Sequence, residues 1–199
     1  MGLAEHFTHI LATDVSSEQI SKARPHPRIE YRVTPAETSG LADRSIDAIT
    51  VCQALHWLDR PKFFAEAARV LVRDGVLVAT VYSDPELEDE SLDPMLQHYN
   101  RAIVGSYWPP ERKIVDEQYR SIKFPFAELP VPQLTMQRAW NLEQLLGYLR
   151  SWSATVRYIE AIGTDPTEEL RSTLAPRWGN PQQPKQIIWP FTIRAGRFP

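Results

Sequence analysis

Strand and helix signals alternate along the first 83 residues, and this alternation constrains the fold more than any other feature of the chain. The apolar runs that read as strands are HILATDV, RIEYRV, SIDAITVCQAL and VLVATVYS, with helix patterns after the first and the third. Such alternation is typical of βαβ units, whose strands form a parallel sheet. The sequence therefore predicts an α/β fold with a doubly wound sheet.

Several local features follow from the same pattern. Ser16 and Gln19 have the spacing of a capping box, which predicts a helix directly after the first strand. The β-branched run SIDAITVCQAL is typical of a strand buried on both faces, so we expect Cys52 to be a buried structural thiol. We also expect Arg73-Asp74-Gly75 to form a turn between a helix and the next strand.

The second half of the chain differs in composition, since it holds eleven of the seventeen prolines and five of the six tryptophans. Its helix patterns, one of them opened by Asn141 and Gln144, precede or separate two late strand patterns, PQLTMQRAW and IIWPFTIRAGRF. We expect a helical, aromatic insertion before these strands. Residues 1–83 would then form an α/β core, and residues 84–199 a helical lid with C-terminal strands that complete the same domain.

Composition excludes several classes of partner and site. A net charge of -3 and a pI near 6.0 provide no basic field, so we expect no nucleic-acid partner. No apolar run reaches membrane-spanning length and no signal peptide is visible, so we expect no membrane partner and a cytoplasmic location. The single cysteine excludes an internal disulfide, and the histidines lack metal-binding spacing, so we expect no metal.

Polar and aromatic residues lie at the ends of three of the predicted strands. Asp14 ends the first, Ala36-Glu37 come after the second, and Gln53 to Trp57 lie at the end of the third. In a doubly wound sheet the carboxyl ends of parallel strands converge on the crevice where ligands bind. We therefore expect these three segments to face one site.

The chain resembles the class I S-adenosylmethionine-dependent methyltransferases of the type 11-like group, and most of all the small-molecule branch that includes trans-aconitate methyltransferase. The resembling segments run nearly end to end: LATDVS, VTPAETSGLADRSIDAITVCQALHWLD, FFAEAARVLVRDGVLV, YWPPER, YRSIKFPF, YLRSWSATVRY and WPFTIRAGR. The resemblance implies a Rossmann-like methyltransferase sheet. It also implies S-adenosyl-L-methionine as the cofactor and a small-molecule methyl acceptor as the partner.

The resemblance assigns roles to particular residues. Asp14 with its neighbour Val15 would bind the cofactor ribose, Ala36 and Glu37 would lie beside the adenine, and Gln53 and Ala54 would border the methionine. His56 and Trp57 would open toward the acceptor. The alternatives are that Asp14 only caps the helix that follows it and that Glu37 is a solvated loop carboxylate.

The aromatic second half suits a lid over the acceptor. Tyr107, Trp108 and Trp152 would form walls of an acceptor pocket, and Arg112 would steer an acidic acceptor as a bidentate partner. The alternative is that the aromatic residues are lid core and that Arg112 is a surface charge. His56 is the candidate catalytic base, although an acceptor that is already ionised would need His56 only for orientation.

One part of the family pattern is missing. The family's first strand and glycine-rich turn should precede the helix of which GLAEHF resembles the tail, and about 20 or more residues are absent by ordinary element lengths. The missing strand would lie between the strands that end at Asp14 and Gln53. We therefore expect an N-terminally truncated sheet, from a late start or a degenerate copy, whose exposed edges pair with each other, with another subunit or with solvent.

The sequence thus favours methyl transfer from S-adenosylmethionine to an oxygen of a small, acidic or hydroxylated molecule, with the activity of the chain as written in doubt. The alternative is an inactive remnant of the same fold that only binds or self-associates through its exposed strand edges. A nicotinamide-linked oxidoreductase would share the acidic strand tip but would not explain QALHWLD or WPPER.

Overall fold

The computed structural model describes residues 2–199, which pack into two compact units. The first unit comprises the chain up to Ala79 together with Phe124–Pro130 and Arg194–Pro199. The second unit comprises Thr80–Lys123 and Val131–Ile193. The division into domains at residues 83 and 84 stays a prediction about how the chain is organised.

Helices and strands are interspersed up to residue 82, with one pair of strands in direct succession, which confirms the predicted α/β class. In chain order these elements are α1 (Leu3–His6), β1 (Ile10–Asp14), α2 (Ser17–Ser21), β2 (Ile29–Val33), β3 (Ile46–Cys52), α3 (Arg60–Val70) and β4 (Leu71–Tyr82). The expected cap of α2 is present, because Ser16 Oγ accepts a hydrogen bond from Gln19 N at 3.2 Å.

Helices predominate beyond residue 82. In chain order the elements are β5 (Glu86–Leu87), α4 (Asp93–His98), a π-helical turn (Tyr99–Ile103), a 3₁₀ turn (Gly105–Tyr107), α5 (Arg112–Asp116), β6 (Ala127–Glu128), β7 (Leu134–Trp140), α6 (Leu142–Arg150), α7 (Ser153–Ile162), α8 (Pro166–Trp178) and β8 (Lys185–Arg197). The two late strands are β7 and β8, and α6 to α8 lie between them in the chain. None of the helices among residues 2–199 has the length and apolar character that crossing a membrane requires.

The strands form two sheets. β1 and β2 pair in parallel, from Ile10 opposite Ile29 to Asp14 opposite Val33. The second sheet has six strands in the order β3-β4-β8-β5, with β6 and β7 also paired to β8. Among residues 2–199, β1 pairs only with β2 and β3 only with β4. β1 and β3 therefore belong to different sheets. The sequence predicts a missing strand between these two.

The expectation that β3 is buried on both faces is wrong. Val51 is the one buried residue of β3, and Cys52, which was expected to be a buried thiol, is exposed. β3 is the end strand of its sheet, so it has a neighbour on one side only and its side chains keep more contact with water. In addition, α2 buries none of its residues, so the helical cover in this part of the first unit is thin.

The predicted turn at Arg73-Asp74-Gly75 is also wrong, because β4 runs through these residues without a break. Asp74 adopts a left-handed φ of 63°, and its N–H donates to Phe198 O at 3.1 Å. Phe198 N in turn donates to Gly75 O at 2.8 Å. A Cβ at Gly75 would lie 2.9 Å from Val72 O, so the glycine serves close backbone packing rather than a chain reversal.

A hydrophobic core fills the second unit. Helix α6 supplies four leucines on one face, Leu142, Leu145, Leu146 and Leu149, and each buried leucine contributes about 1.5–3 kcal/mol of transfer free energy. The expected start of α6 is confirmed, because Asn141 and Gln144 each accept the other's backbone N–H at 2.9 Å. The core residues are Leu87, Leu92, Leu96, Tyr99, Val104, Leu142, Leu145, Leu146, Leu149, Trp152, Ala154, Leu170, Leu174, Trp178, Ile187 and Trp189.

Glu66 joins α3 to the loop that precedes β3. Its Oε1 accepts hydrogen bonds from Ser39 N at 2.9 Å and from Ser39 Oγ at 2.6 Å. Arg69 donates from Nε to Oε2 and from Nη2 to Oε1, both at 2.8 Å, and also pairs with Asp43 at 2.5 Å. These bonds, those from Arg69 first, lower the pKa of Glu66 from 4.5 to about 2. The charged form of Glu66 therefore stabilises the folded first unit.

Replacing Glu66 with glutamine tests this contribution. Because the pKa is lower in the folded state, the stabilisation is present above the unfolded value near 4.5 and is lost as the pH falls toward 2. We expect Glu66→Gln to lower the free energy of unfolding by on the order of 1–2 kcal/mol at pH 7, with a smaller difference below about pH 4. Urea denaturation at both pH values measures this. Glu18→Gln is the control, since Glu18 forms only a surface pair with Lys22; an equal loss at both pH values for Glu66→Gln would contradict the argument.

Candidate functional site

The three segments that follow β1, β2 and β3 lie in the first unit, and we call them the strand-end cluster. Two hydrogen bonds tie the segment after β2 to its neighbours. Thr34 N, just after β2, donates to Asp14 O at the end of β1 at 3.1 Å. Glu37 Oε1 accepts from Asp59 N, at the start of α3, at 2.9 Å. The segment after β2 is therefore bonded to the end of β1 and to the start of α3, and that all three strand ends face one site stays a prediction.

Asp14 presents a carboxylate at the tip of β1. Its Oδ1 accepts from Ser16 N at 2.8 Å, which fixes the side chain at the start of α2. No residue in the described chain bonds Oδ2, so this oxygen is open to a hydroxyl donor. Two apolar side chains at the same end of the strands are unusually exposed, Val15 at 73% and Val33 at 51%. The tip of the β1–β2 sheet thus offers an acceptor oxygen beside apolar surface.

Glu37 holds the loop after β2 against the N-terminus of α3. The Asp59 side chain caps α3 by accepting from Lys62 N at 3.3 Å, and it pairs with Lys62 Nζ at 2.8 Å. The hydrogen bond from the Lys62 side chain, followed by that from its backbone, lowers the pKa of Asp59. Ala36 is half-buried beside Glu37. This arrangement fixes the position of the loop relative to the residues that follow β3.

The segment from Gln53 to Trp57 leaves β3 in a strained conformation. Gln53 has a φ of 52°, which is uncommon outside glycine and is frequent at functional sites. Leu55 is fully buried and anchors the segment, and Trp57 N closes a turn by donating to Ala54 O at 2.9 Å. His56 is 6% exposed, whereas the Trp57 side chain, whose ring lies 4.9 Å from that of His56, is 54% exposed.

Arg112 lies within the second unit and is paired with two carboxylates. It forms ion pairs with Asp84 through Nη2 and with Asp116 through Nε, the latter at 2.5 Å. The guanidinium also stacks on the Trp108 ring, 4.1 Å from its centroid, and the side chain is 14% exposed. Burial alone would lower the pKa of Arg112, but the two carboxylates outweigh burial and raise it. Within the described chain Nη1 has no hydrogen-bond partner.

Asp84 and Asn100 complete this arrangement, and with Trp108 and Arg112 they form what we call the Asp84 network. Asn100 Nδ2 donates to Asp84 Oδ2 at 2.5 Å, and Asn100 Oδ1 accepts from Trp108 Nε1 at 2.9 Å. Sequence reasoning missed both residues. The signal for Asp84 was its position just past the end of β4, much as Asp14 ends β1, while Asn100 lies in the π-helical turn, which periodicity does not distinguish from α-helix.

The predicted aromatic residues of the second unit make two separate ring contacts. The Trp108 ring lies 5.3 Å from that of Trp152, which is 8% exposed. The Tyr107 ring instead packs 5.1 Å from that of Tyr158. The structure therefore brings Trp108, Arg112 and Trp152 together. Among residues 2–199 no group of three or more histidine, cysteine, aspartate or glutamate side chains is arranged to hold a metal ion.

Comparison with known proteins gives the family. A family model described as a methyltransferase domain matches residues 1–79. A protein of Dictyostelium discoideum, provisionally named a methyltransferase, is 32% identical over 86% of this chain, which covers 66% of that protein. The methyltransferase AacuQ of Aspergillus aculeatus is 23% identical over 56% of this chain and 39% of its own length. The chain thus spans less than two thirds of the length of these two relatives.

A solved structure shows the likeness along almost the whole chain. It is a protein of Anaeromyxobacter dehalogenans, provisionally described as a type II methyltransferase, with 38% sequence identity and a TM-score of 0.90. The superposition covers 99% of this chain and 83% of that protein. Together with the match of the family model, this establishes that the chain belongs to the class I S-adenosylmethionine-dependent methyltransferases.

Proposed function

We propose that this chain transfers a methyl group from S-adenosylmethionine to an oxygen of a small, acidic or hydroxylated molecule. The observation that carries the proposal is the strand-end cluster, in which the segment after β2 bonds to Asp14 at the end of β1 and, through Glu37, to Asp59, which lies just beyond Gln53 to Trp57. Convergent strand ends are where open α/β sheets bind nucleotide-like ligands. Family membership supplies the reaction type, and the acceptor class is our inference.

The strand-end cluster has groups that suit the nucleoside half of the cofactor. Asp14 Oδ2 would accept from the ribose hydroxyls, with Val15 beside it, and Ala36 and Glu37 would lie along the adenine. Gln53 and Ala54 would border the methionine half. The eight glycines include no pair spaced as G-x-G, so these residues offer no glycine-rich turn for the methionine carboxylate. The fit is therefore to the nucleoside, and when bound the cofactor would supply the sulfonium methyl group.

His56 is the proposed proton acceptor. His56 is buried next to the exposed Trp57, and it would take the proton from an acceptor hydroxyl as the methyl group passes from the sulfonium sulfur to that oxygen. A carboxylate acceptor has already lost its proton, and His56 would then only orient it. Positioning of the two reacting atoms supplies much of the rate enhancement in such an in-line displacement, roughly 7–11 kcal/mol at most.

The acceptor is proposed to bind in the second unit, with Tyr107, Trp108 and Trp152 as apolar walls and Arg112 as the polar contact. Asp84 and Asp116 already offset the charge of Arg112, so what remains for a ligand is the hydrogen-bonding capacity of Nη1. An acceptor oxygen of either charge state accepts such a bond, and a carboxylate gains most from it.

Asp14→Asn tests the cofactor site. Asparagine can still accept from Ser16 N through its amide oxygen but would bond ribose hydroxyls without the negative charge, so we expect S-adenosylhomocysteine to bind at least about tenfold more weakly. Isothermal titration calorimetry with the 199-residue chain measures this, with Glu18→Gln, on the exposed face of α2, as the control. If the folded chain shows no binding at about millimolar S-adenosylhomocysteine, the remnant alternative is supported and the proposed function fails.

Arg112→Ala tests the acceptor contact. Removing the guanidinium leaves Asp84 and Asp116 uncompensated, which repels acidic acceptors as well as removing their donor. We expect kcat/KM to fall by about tenfold or more for acidic acceptors and by less than about threefold for the matched amides. Methylation assays on such acid and amide pairs measure the difference, with Lys113→Ala as the control for an exposed neighbouring charge. Equal losses for both classes would remove the role of Arg112 in acceptor selection.

His56→Gln separates the two roles of His56. If the imidazole accepts a proton, kcat for hydroxylated acceptors falls by about 10²–10⁴-fold, whereas carboxylate acceptors keep most of their rate. Steady-state kinetics with one acceptor of each class measures this, and His98→Gln, an exposed histidine of the second unit, is the control. If KM instead rises equally for both classes while kcat stays the same, His56 only orients the acceptor.

A further inference from the structure

Strand β7 pairs with β8 along one edge only. The antiparallel register places Thr135 opposite Pro190 and Gln137 opposite Ile188. Nothing else in residues 2–199 pairs with β7. The second edge of this seven-residue strand is therefore an open row of backbone groups within the described chain.

Pro190 shows which backbone groups of β7 face that open edge. Proline has no N–H, and Pro190 O accepts from Ser83 N at 2.9 Å, so the pair of Thr135 and Pro190 exchanges no hydrogen bonds. Hydrogen-bonded and non-bonded pairs alternate along an antiparallel ladder. The N–H and C=O groups of Thr135, Gln137 and Ala139 therefore point away from β8.

The outward groups are accessible. Thr135, Gln137 and Ala139 are exposed, and the contact recorded for their backbone is a bond from the neighbouring Arg138 Nη1 to Gln137 O at 3.0 Å. That bond comes from an exposed, flexible side chain and is readily exchanged for another donor. Leu134, at the start of the strand, is 50% exposed, which is a large exposure for a leucine in a sheet.

We propose that the open edge of β7 is a homodimer interface, in which two copies pair antiparallel about a two-fold axis at Gln137. With this centre Gln137 faces its own copy, and Thr135 faces Ala139 of the second copy. All three outward positions then form hydrogen-bonded pairs, two bonds at each, and no other centre pairs all three.

The side chains support the same register. Leu134 lies opposite Trp140 of the second copy, which extends the apolar surface that Trp140 already shares with the core of the second unit. Arg138 lies opposite Met136 of the second copy, so no like charges meet across the axis. The strand is thus complementary to itself. A contact through one strand is small, and we expect a dissociation constant in the micromolar range. This proposal does not depend on the methyl-transfer function.

Sedimentation velocity over protein concentrations of about 1–500 µM tests the interface. Gln137→Glu places two carboxylates opposite each other at the axis, and we expect it to weaken dimerisation by at least about tenfold. The matched control is Gln137→Thr, a neutral strand-forming residue, which should change the dissociation constant by less than about threefold. Because the repulsion is between exposed charges, raising NaCl from about 0.05 to 0.5 M should recover part of the loss for the glutamate variant.

Backbone amide exchange identifies the edge that is used. The amides of Thr135, Gln137 and Ala139 should exchange more slowly as protein concentration rises, whereas those of Met136 and Arg138, which bond to β8, should not change. The proposal is overturned if the chain stays monomeric over the whole range or if Gln137→Glu dimerises like the unmodified chain. Dimerisation without protection of these three amides, for example through β1 or β3, overturns it equally.

Discussion

The backbone ladder along β8 is the interaction on which the six-stranded sheet depends, since β4, β5, β6 and β7 all pair with it. A buried N–H or C=O that lost its partner there would cost about 1–3 kcal/mol. β8 begins at Lys185, whereas β4 begins at Leu71, so their pairing joins segments more than 100 residues apart. Such long-range pairing is slow to form because the loop between the strands must close first. The sheet is therefore completed only when the last strand is available.

The sequence predicted a feature of the fold when the residues that determine it are close together in the chain, and failed when they are far apart. The caps at Ser16 and Asn141 were predicted correctly because each depends on residues three positions away. The turn at Asp74 was predicted wrongly because the residue that keeps it in the strand is Phe198, far along the chain. The exposure of Cys52 likewise depends on which strands flank β3, and no local pattern carries that information.

In the candidate site, too, locally determined features were predictable and contacts between distant residues were not. Asp14 and Glu37 were identifiable because each lies at or shortly after the end of a strand pattern, and the fold class places such residues at one edge. The bond from Asp59 to Glu37 and the pairing of Arg112 with Asp84 were not predictable, since neither spacing has a sequence signature. The second case alters the chemistry. An arginine that suggests a positive site in the sequence is, with Asp84 and Asp116, part of a group of net negative charge, so the proposed acceptor recognition depends on hydrogen-bond geometry more than on net charge.

Pro190 bonds the residue that directly follows β4. In a bonded antiparallel pair each residue both gives and receives a hydrogen bond, but Pro190 only receives one, from Ser83 N. Ser83 O therefore finds no donor at Pro190, and pairing with β8 is interrupted until β5 begins at Glu86. Asp84 lies in this interruption, and its carboxylate bonds Asn100 and Arg112. An imino acid in one strand thus coincides with a gap in the pairing of its neighbour, and the polar centre of the second unit begins in that gap.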